Sequence, residues 1–240
     1  MKPGVGSRTS LGCLGYLIVA TALAAGCRQR VESTDIRTSG IYPDIDVTAD
    51  GSGTTRVQVR LKVGGPASNT FLDLVGDDRL QVTAGGVTKD MDGSGVSYIA
   101  TFPTDAAATF VIAFLRGAAD TGAPSTTVNL PQPFTIALPT RELSRATDDL
   151  TFTWAPAGGA GNVDESVYGS CVDLILETIP DDGTATISRD QLHDAGHTGD
   201  SCTVTVSLAR NQSGQPDPAF TEGGSVNARQ IRTATFTSTP

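Results

Sequence analysis

Arg56-Val57-Gln58-Val59-Arg60-Leu61-Lys62-Val63 alternates polar and apolar side chains without a break. In an extended chain successive side chains point to opposite faces, so Val57, Val59, Leu61 and Val63 share one side. A helix would scatter the same four residues around its axis. The stretch therefore reads as a half-buried β-strand. Asp50-Gly51-Ser52-Gly53 precedes it. That is turn chemistry, and it joins the strand as a hairpin to another carrying Ile45 and Val47.

The same grammar runs outward from this hairpin. Thr70–Val75, Leu80–Ala84, Gly86–Met91, Val96–Phe102, Thr109–Arg116 and Thr126–Leu130 read as short strands separated by turn residues. Seven or eight such strands, with turn signals every 8–12 residues, predict a β-sandwich. Pro131-Gln132-Pro133 interrupts the pattern, because proline cannot donate to a ladder. This places a domain boundary near residue 131. Composition agrees with strands over helices: 27 glycines, 13 prolines, 5% aromatic and 18% charged residues, with much threonine and valine.

Beyond the prolines come Phe134–Leu138, Asp149–Pro156, Ser170–Ile179, Thr184–Ile187, Cys202–Arg210 and Ala228–Ser238. A short helix is expected at Arg189–Ala195. Leu150, Phe152 and Trp154 share a face, and Pro156 follows. This strand resembles the second strand of fibronectin type III and related immunoglobulin-like domains, which implies that Trp154 is a core residue. The expected fold class is all-β: two tandem immunoglobulin-like antiparallel β-sandwiches, at 41–131 and 132–240, after a cleaved N-terminal signal helix.

That leader occupies residues 1–26. Lys2 and Arg8 supply a positive start, and Leu11 to Ala25 carry no charge. The run has the length of a signal sequence and is short for a stable span. It ends in Leu23-Ala24-Ala25-Gly26-Cys27, which resembles the lipobox of bacterial lipoproteins. The resemblance implies that diacylglycerol joins the Cys27 thiol, that cleavage precedes Cys27, and that the new amino group is acylated in turn, with palmitate a typical chain. Three chains exceed the two-signal threshold for stable anchoring. Arg28 resembles the residue class that lets such lipoproteins travel to the outer membrane of a two-membrane envelope. Residues 27–40, polar through Glu32, Ser33, Thr34, Asp35 and Ser39, read as the lipidated cysteine and a flexible tether.

Cys13 leaves with the leader, and Cys27 is committed to lipid. Cys171 and Cys202 remain, in an exported and oxidising compartment. A bridge between them would close a loop of about 30 residues, worth roughly 3–4 kcal/mol on the chain-entropy model. Two free thiols or a metal pair are the alternatives.

Losing two basic and no acidic side chains with the leader takes the net charge from −9 to −11. Such a charge excludes nucleic acid, which needs a basic footprint. It also means that the lipid on Cys27, not surface charge, must hold the protein to anionic membranes.

Catalytic motifs are scarce. There is no Gly-x-Ser-x-Gly elbow and no phosphate-cradling loop followed by a helix. His193 and His197 are spaced i, i+4, with Asp190, Asp194 and Asp200 nearby. Gly196 opposes a helix there, so the stretch reads as a solvated loop. Asp90-Met91-Asp92-Gly93-Ser94-Gly95 has the oxygen spacing of a calcium loop, but Thr101 stands where a bidentate Glu is required. It reads as a hairpin, as do the acidic turns at Asp44, Asp46 and Asp50 and at Asp181-Asp182. Tyr42 and Tyr168 are the aromatics best placed to meet a sugar.

The expectation is a non-enzyme without cofactor or metal. It has a structural, adhesive or partner-binding role, held to membrane lipid through Cys27, with a protein or glycan partner. A calcium- or carbohydrate-binding module is the alternative, and an envelope hydrolase a further one. Taken whole, the chain resembles small bacterial envelope lipoproteins, a likeness that carries no activity with it.

Overall fold

The computed structural model describes residues 29–117, 120–192 and 199–240. The leader, Cys27, Arg28 and the two histidines lie outside the described residues.

The first ten strands are β1 (Gln29–Glu32), β2 (Ile41–Ala49), β3 (Thr55–Val63), β4 (Thr70–Asp73), β5 (Arg79–Ala84), β6 (Val87–Asp90), β7 (Asp92–Ser94), β8 (Ser97–Phe102), β9 (Thr109–Leu115) and β10 (Ala123–Asn129). The alternating stretch forms β3 and pairs with β2 from Ile41↔Val63 to Ala49↔Thr55. The turn between them is tightened by the Ser52 amide donating to Asp50 Oδ1 at 3.0 Å. Val57, Val59 and Leu61 are buried, facing a second sheet ordered β10-β9-β5-β6. Leu80, Val82, Phe110, Ile112 and Phe114 complete the same core. The polar face of β2–β3 stays outward, where Arg60 pairs with Asp44 and Asp46 at 3.1 and 3.2 Å.

The second set is β11 (Thr135–Ala137), β12 (Leu143–Ser144), β13 (Leu150–Ala155), β14 (Asn162–Gly169), β15 (Val172–Pro180), β16 (Thr184–Ile187), β17 (Cys202–Ser213) and β18 (Ser225–Thr239). A sheet ordered β11-β13-β16 faces the run β15-β14-β17-β18. This division of strands is that of an immunoglobulin-like sandwich. Its core holds Phe134, Leu150, Phe152, Trp154, Val163, Val167, Val204, Val206, Leu208 and Phe236. Trp154 is 3% exposed, a core residue. Of the helix expected at Arg189–Ala195, the described part is a single 3-10 turn, Arg189–Gln191.

The two cores share a sheet. Eleven described strands form one surface, ordered β1-β4-β3-β2-β18-β17-β14-β15 along its main path. The link is β18. Its first half pairs in parallel with β2, Ser225↔Asp44 through Gln230↔Ala49. Most of its length pairs with β17, from Asn227↔Ser213 to Ser238↔Cys202. The chain leaves the first core after Leu130 and enters the second at Phe134, yet Phe220, Val226 and Ala228 pack back into the first. Residues 132–240 are therefore not packed as one body.

Residues 29–40, expected as a flexible tether, are ordered. β1 lies parallel to β4, Gln29↔Thr70 through Glu32↔Asp73. Two 3-10 turns follow, Ser33–Asp35 and Thr38–Gly40. Of the polar side chains that suggested a tether, Ser33 is buried and its Oγ accepts from the Val75 amide at 3.1 Å, while backbone carbonyls make further internal bonds. Arg116, its side chain 3% exposed, donates to Ser33 O at 2.6 Å and Ile36 O at 2.7 Å. Its Nε also pairs with Asp78 at 3.2 Å. A buried charge is tolerated only when its donors are matched in this way.

A buried polar knot sits where the cores meet. Arg210 donates to both Asp181 oxygens, at 2.6 and 2.9 Å. It also reaches Gln132 O at 3.0 Å and Pro156 O at 2.6 Å. Trp154 Nε1 donates to Asp181 Oδ1 at 2.7 Å. Gly158 lies so close that a Cβ there would meet Asp181 Oδ2 at 1.9 Å. Burial pushes the Asp181 carboxyl up, but hydrogen bonds from Arg210, Trp154 and the Gly158 amide outweigh it and hold it below the usual range.

Candidate functional site

Asn162-Val163-Asp164-Glu165-Ser166-Val167-Tyr168-Gly169 alternates, but a carboxylate takes one inward place. Val163 and Val167 are fully buried, and Glu165 between them is 3% exposed. Asp164, Ser166 and Tyr168 point the other way. Across the hairpin, Glu165 stands opposite Glu177 and Ser166 opposite Leu176. On its other side Glu165 meets Leu208 of β17.

Glu165 is poorly compensated. Its Oε1 has no hydrogen-bond partner among the described residues. Desolvation, with a smaller push from the Glu177 charge, raises its pKa from 4.5 to about 7. A raised acid beside a carboxylate is formally the couple that glycoside hydrolysis uses. Here Glu165 faces the core among Val163, Val167 and Leu208 and is 3% exposed. The neighbouring cleft, about 360 Å³, is shallow and lined by Asp164, Leu176, Glu177 and Thr178 besides Glu165.

The titration has a consequence for stability. The folded protein holds this proton more tightly than the unfolded chain does. Stability should therefore fall as pH rises from 4.5 to about 7, then level off. Glu165→Gln is expected to flatten that slope and to gain up to about 3 kcal/mol at pH 8. Urea melts of both proteins across this range check it. A parent whose midpoint does not change between pH 5 and 8 would refute the assignment.

The outward face of the same hairpin is apolar where sheets usually are not. Leu174 is 61% exposed, Leu176 67% and Tyr168 45%. β15 is the last strand of the large sheet and pairs only with β14. The hairpin's closed end is fixed by Cys171–Cys202, with Cα atoms 5.7 Å apart. Of the readings left open for the two thiols, the disulfide is the one observed. Arg145 donates to Cys171 Sγ at 3.0 Å and to Asp200 O at 2.9 Å, bracing this corner.

The other sites read from sequence fall apart or are occupied. Cys27, His193, Asp194 and His197 lie outside the described residues. Asp44 and Asp46 face Arg60 and Lys62, and Asp181 is locked to Arg210. Asp90 and Asp92 sit in β6 and β7, and β7 turns tightly back as β8, Ser94↔Ser97. Among the described residues no group of three or more His, Cys, Asp or Glu is placed to hold a metal. Tyr42 is partly covered on β2, whereas Tyr168 is exposed. Sequence reading missed the significance of Leu174 and Leu176. Their spacing in Val172-Asp173-Leu174-Ile175-Leu176 gives no sign of which face is buried.

A cleft of about 520 Å³ lies between residues 34–37 and the loops around Asp77 and Arg116. Its buried guanidinium is engaged by Ser33, Ile36, Thr38, Asp78 and Asp120.

No protein-family model matches the chain, and no curated protein matches its sequence. Among solved structures, one similar chain comes from work on host cell surface retention of a 1.5-MDa bacterial ice-binding adhesin. It is 14% identical with a TM-score of 0.23, and the alignment covers 84% of this chain and 65% of that one. This chain therefore spans less than two thirds of that neighbour's length.

Proposed function

We propose that this protein is a lipid-anchored, non-catalytic envelope protein that binds a protein partner through the outward face of the β14–β15 hairpin. The observation that carries the reading is Leu174, Leu176 and Tyr168 exposed together on the terminal strands of the largest sheet. Exposed apolar groups on a soluble face cost solvation and are commonly kept for contact. The anchor reading draws support from the sequence of residues 1–27. If Cys27 carries lipid, β1 begins two residues later, at Gln29. Two residues reach at most about 7 Å, so the first sandwich would rest against the bilayer. The outer membrane is the proposed location.

Two experiments test the two halves. Cys27→Ala is expected to abolish incorporation of labelled fatty acid and to free the protein from membranes. For the partner, a photo-crosslinking amino acid at position 168 in intact cells should give a discrete adduct. The same group at Arg56, on the outer face of the first sandwich, should not. No adduct at 168, or equal adducts at both places, would end the partner-binding reading.

A further inference from the structure

We infer that β15 is an acceptor edge for an added β-strand: an extended partner segment that alternates apolar with basic side chains. The inference rests on the partner-binding reading above and specifies its chemistry. β15 is nine residues long and has a ladder on one side only. No described strand pairs with its other side. Such a row of backbone donors and acceptors is a template for a further strand. Natural edges are usually blunted by lysine, an internal proline or a bulge. β15 has no lysine, its one proline, Pro180, is its last residue, and the register shift in its ladder lies at the turn, between Val167 and Gly169.

Side chains select the guest. Leu174 and Leu176 project to solvent from one face, with Tyr168 on the same face of the neighbouring strand. A guest strand would cover them with every second residue. Its charge is set by the hairpin itself. The exposed charges of residues 162–180 are the carboxylates Asp164 and Glu177, and the stretch contains no lysine or arginine. A basic guest is attracted and an acidic one repelled.

The same charges argue against a second copy of this chain as the guest. Antiparallel self-pairing centred on Glu177 would set the two Glu177 carboxylates directly opposite each other. Like charges placed directly across a ladder are unfavourable.

The test uses the full chain in detergent micelles and a fluorescent, acetylated nonapeptide alternating valine with lysine. Anisotropy should show saturable binding, weakened about tenfold or more by Leu174→Lys/Leu176→Lys and several-fold by the milder Leu176→Thr. The peptide with glutamate in place of lysine should bind at least about tenfold more weakly. Hydrogen exchange should show new protection of the amides of residues 172–180 in the complex. Binding without that protection overturns strand addition but leaves an apolar contact surface standing. Absence of binding, or equal binding of the acidic peptide, overturns the stated chemistry, while adducts at position 168 would still report a partner. A dimer in sedimentation that the double variant dissolves would show that a second copy, not a basic segment, occupies the edge.

Discussion

Arg210→Met is expected to destabilise the protein by about 3–5 kcal/mol, the largest single effect of those considered. The cost arises less from a lost attraction than from what remains. Asp181 is 3% exposed and would keep its charge in the joint with Arg210 gone. Gln132 O and Pro156 O would lose their donors. Trp154 Nε1 and the Gly158 amide are neutral donors and cannot balance a buried carboxylate. Replacing both partners, as Arg210→Met with Asp181→Leu, should cost clearly less than the sum of the single changes, because no charge is stranded. The pH dependence should change as well. In the parent the Asp181 carboxyl is held low, so its contribution is present at neutral pH and lost as acid protonates it. Without Arg210, burial dominates and the carboxyl titrates higher, so mild acid should lessen the defect of the single variant. Denaturant midpoints at pH 5 and 7.5 read both claims. A loss below about 1 kcal/mol would place the pair among surface ion pairs and refute its role in the joint.

Loss of the disulfide is the second large effect. Cys171 and Cys202 are 31 residues apart, and Cys171→Ala/Cys202→Ala is expected to cost about 3–4 kcal/mol on the chain-entropy model. The loss should fall unevenly. The bridge ties the β14–β15 turn to the start of β17, so the β15 edge should loosen before either core. Hydrogen exchange at residues 172–180 should accelerate more in this variant than exchange at residues 57–61. A uniform change across both segments would mean that the bridge acts only through the unfolded chain.

Much of the architecture was legible because it is local. The alternation of residues 56–63 fixes a face, and the Asp50–Gly53 turn fixes a neighbour. Leu150, Phe152 and Trp154 mark a buried strand for the same reason. β14 escaped notice because Glu165 occupies an inward place where the pattern demands an apolar residue. The residue that hides the strand is also the one whose chemistry is most altered by the fold. β18 was legible as a strand, but its union with β2 was not. Periodicity says which side of a strand is buried and nothing about which strand lies beside it. Residues 29–40 were misjudged because backbone contacts order them, the β1–β4 ladder and the carbonyls that accept from buried Arg116, and side-chain polarity does not reveal these. Arg210 gave no signal at all, since a lone arginine at the end of an alternating run is ordinary on a surface.

The shared strand β18 changes how a pull would travel through the molecule. In beads on a string, tension passes through the covalent linker and each bead yields by itself. Here a tug on β15 would run from ladder to ladder, through β14, β17, β18, β2, β3 and β4 to β1. The β3–β4 rung, with the single registered pair Lys62↔Phe71, is the narrowest point on that route. The protein is built less like a chain than like a plank, stiff along its length and apt to split first near its β1 end.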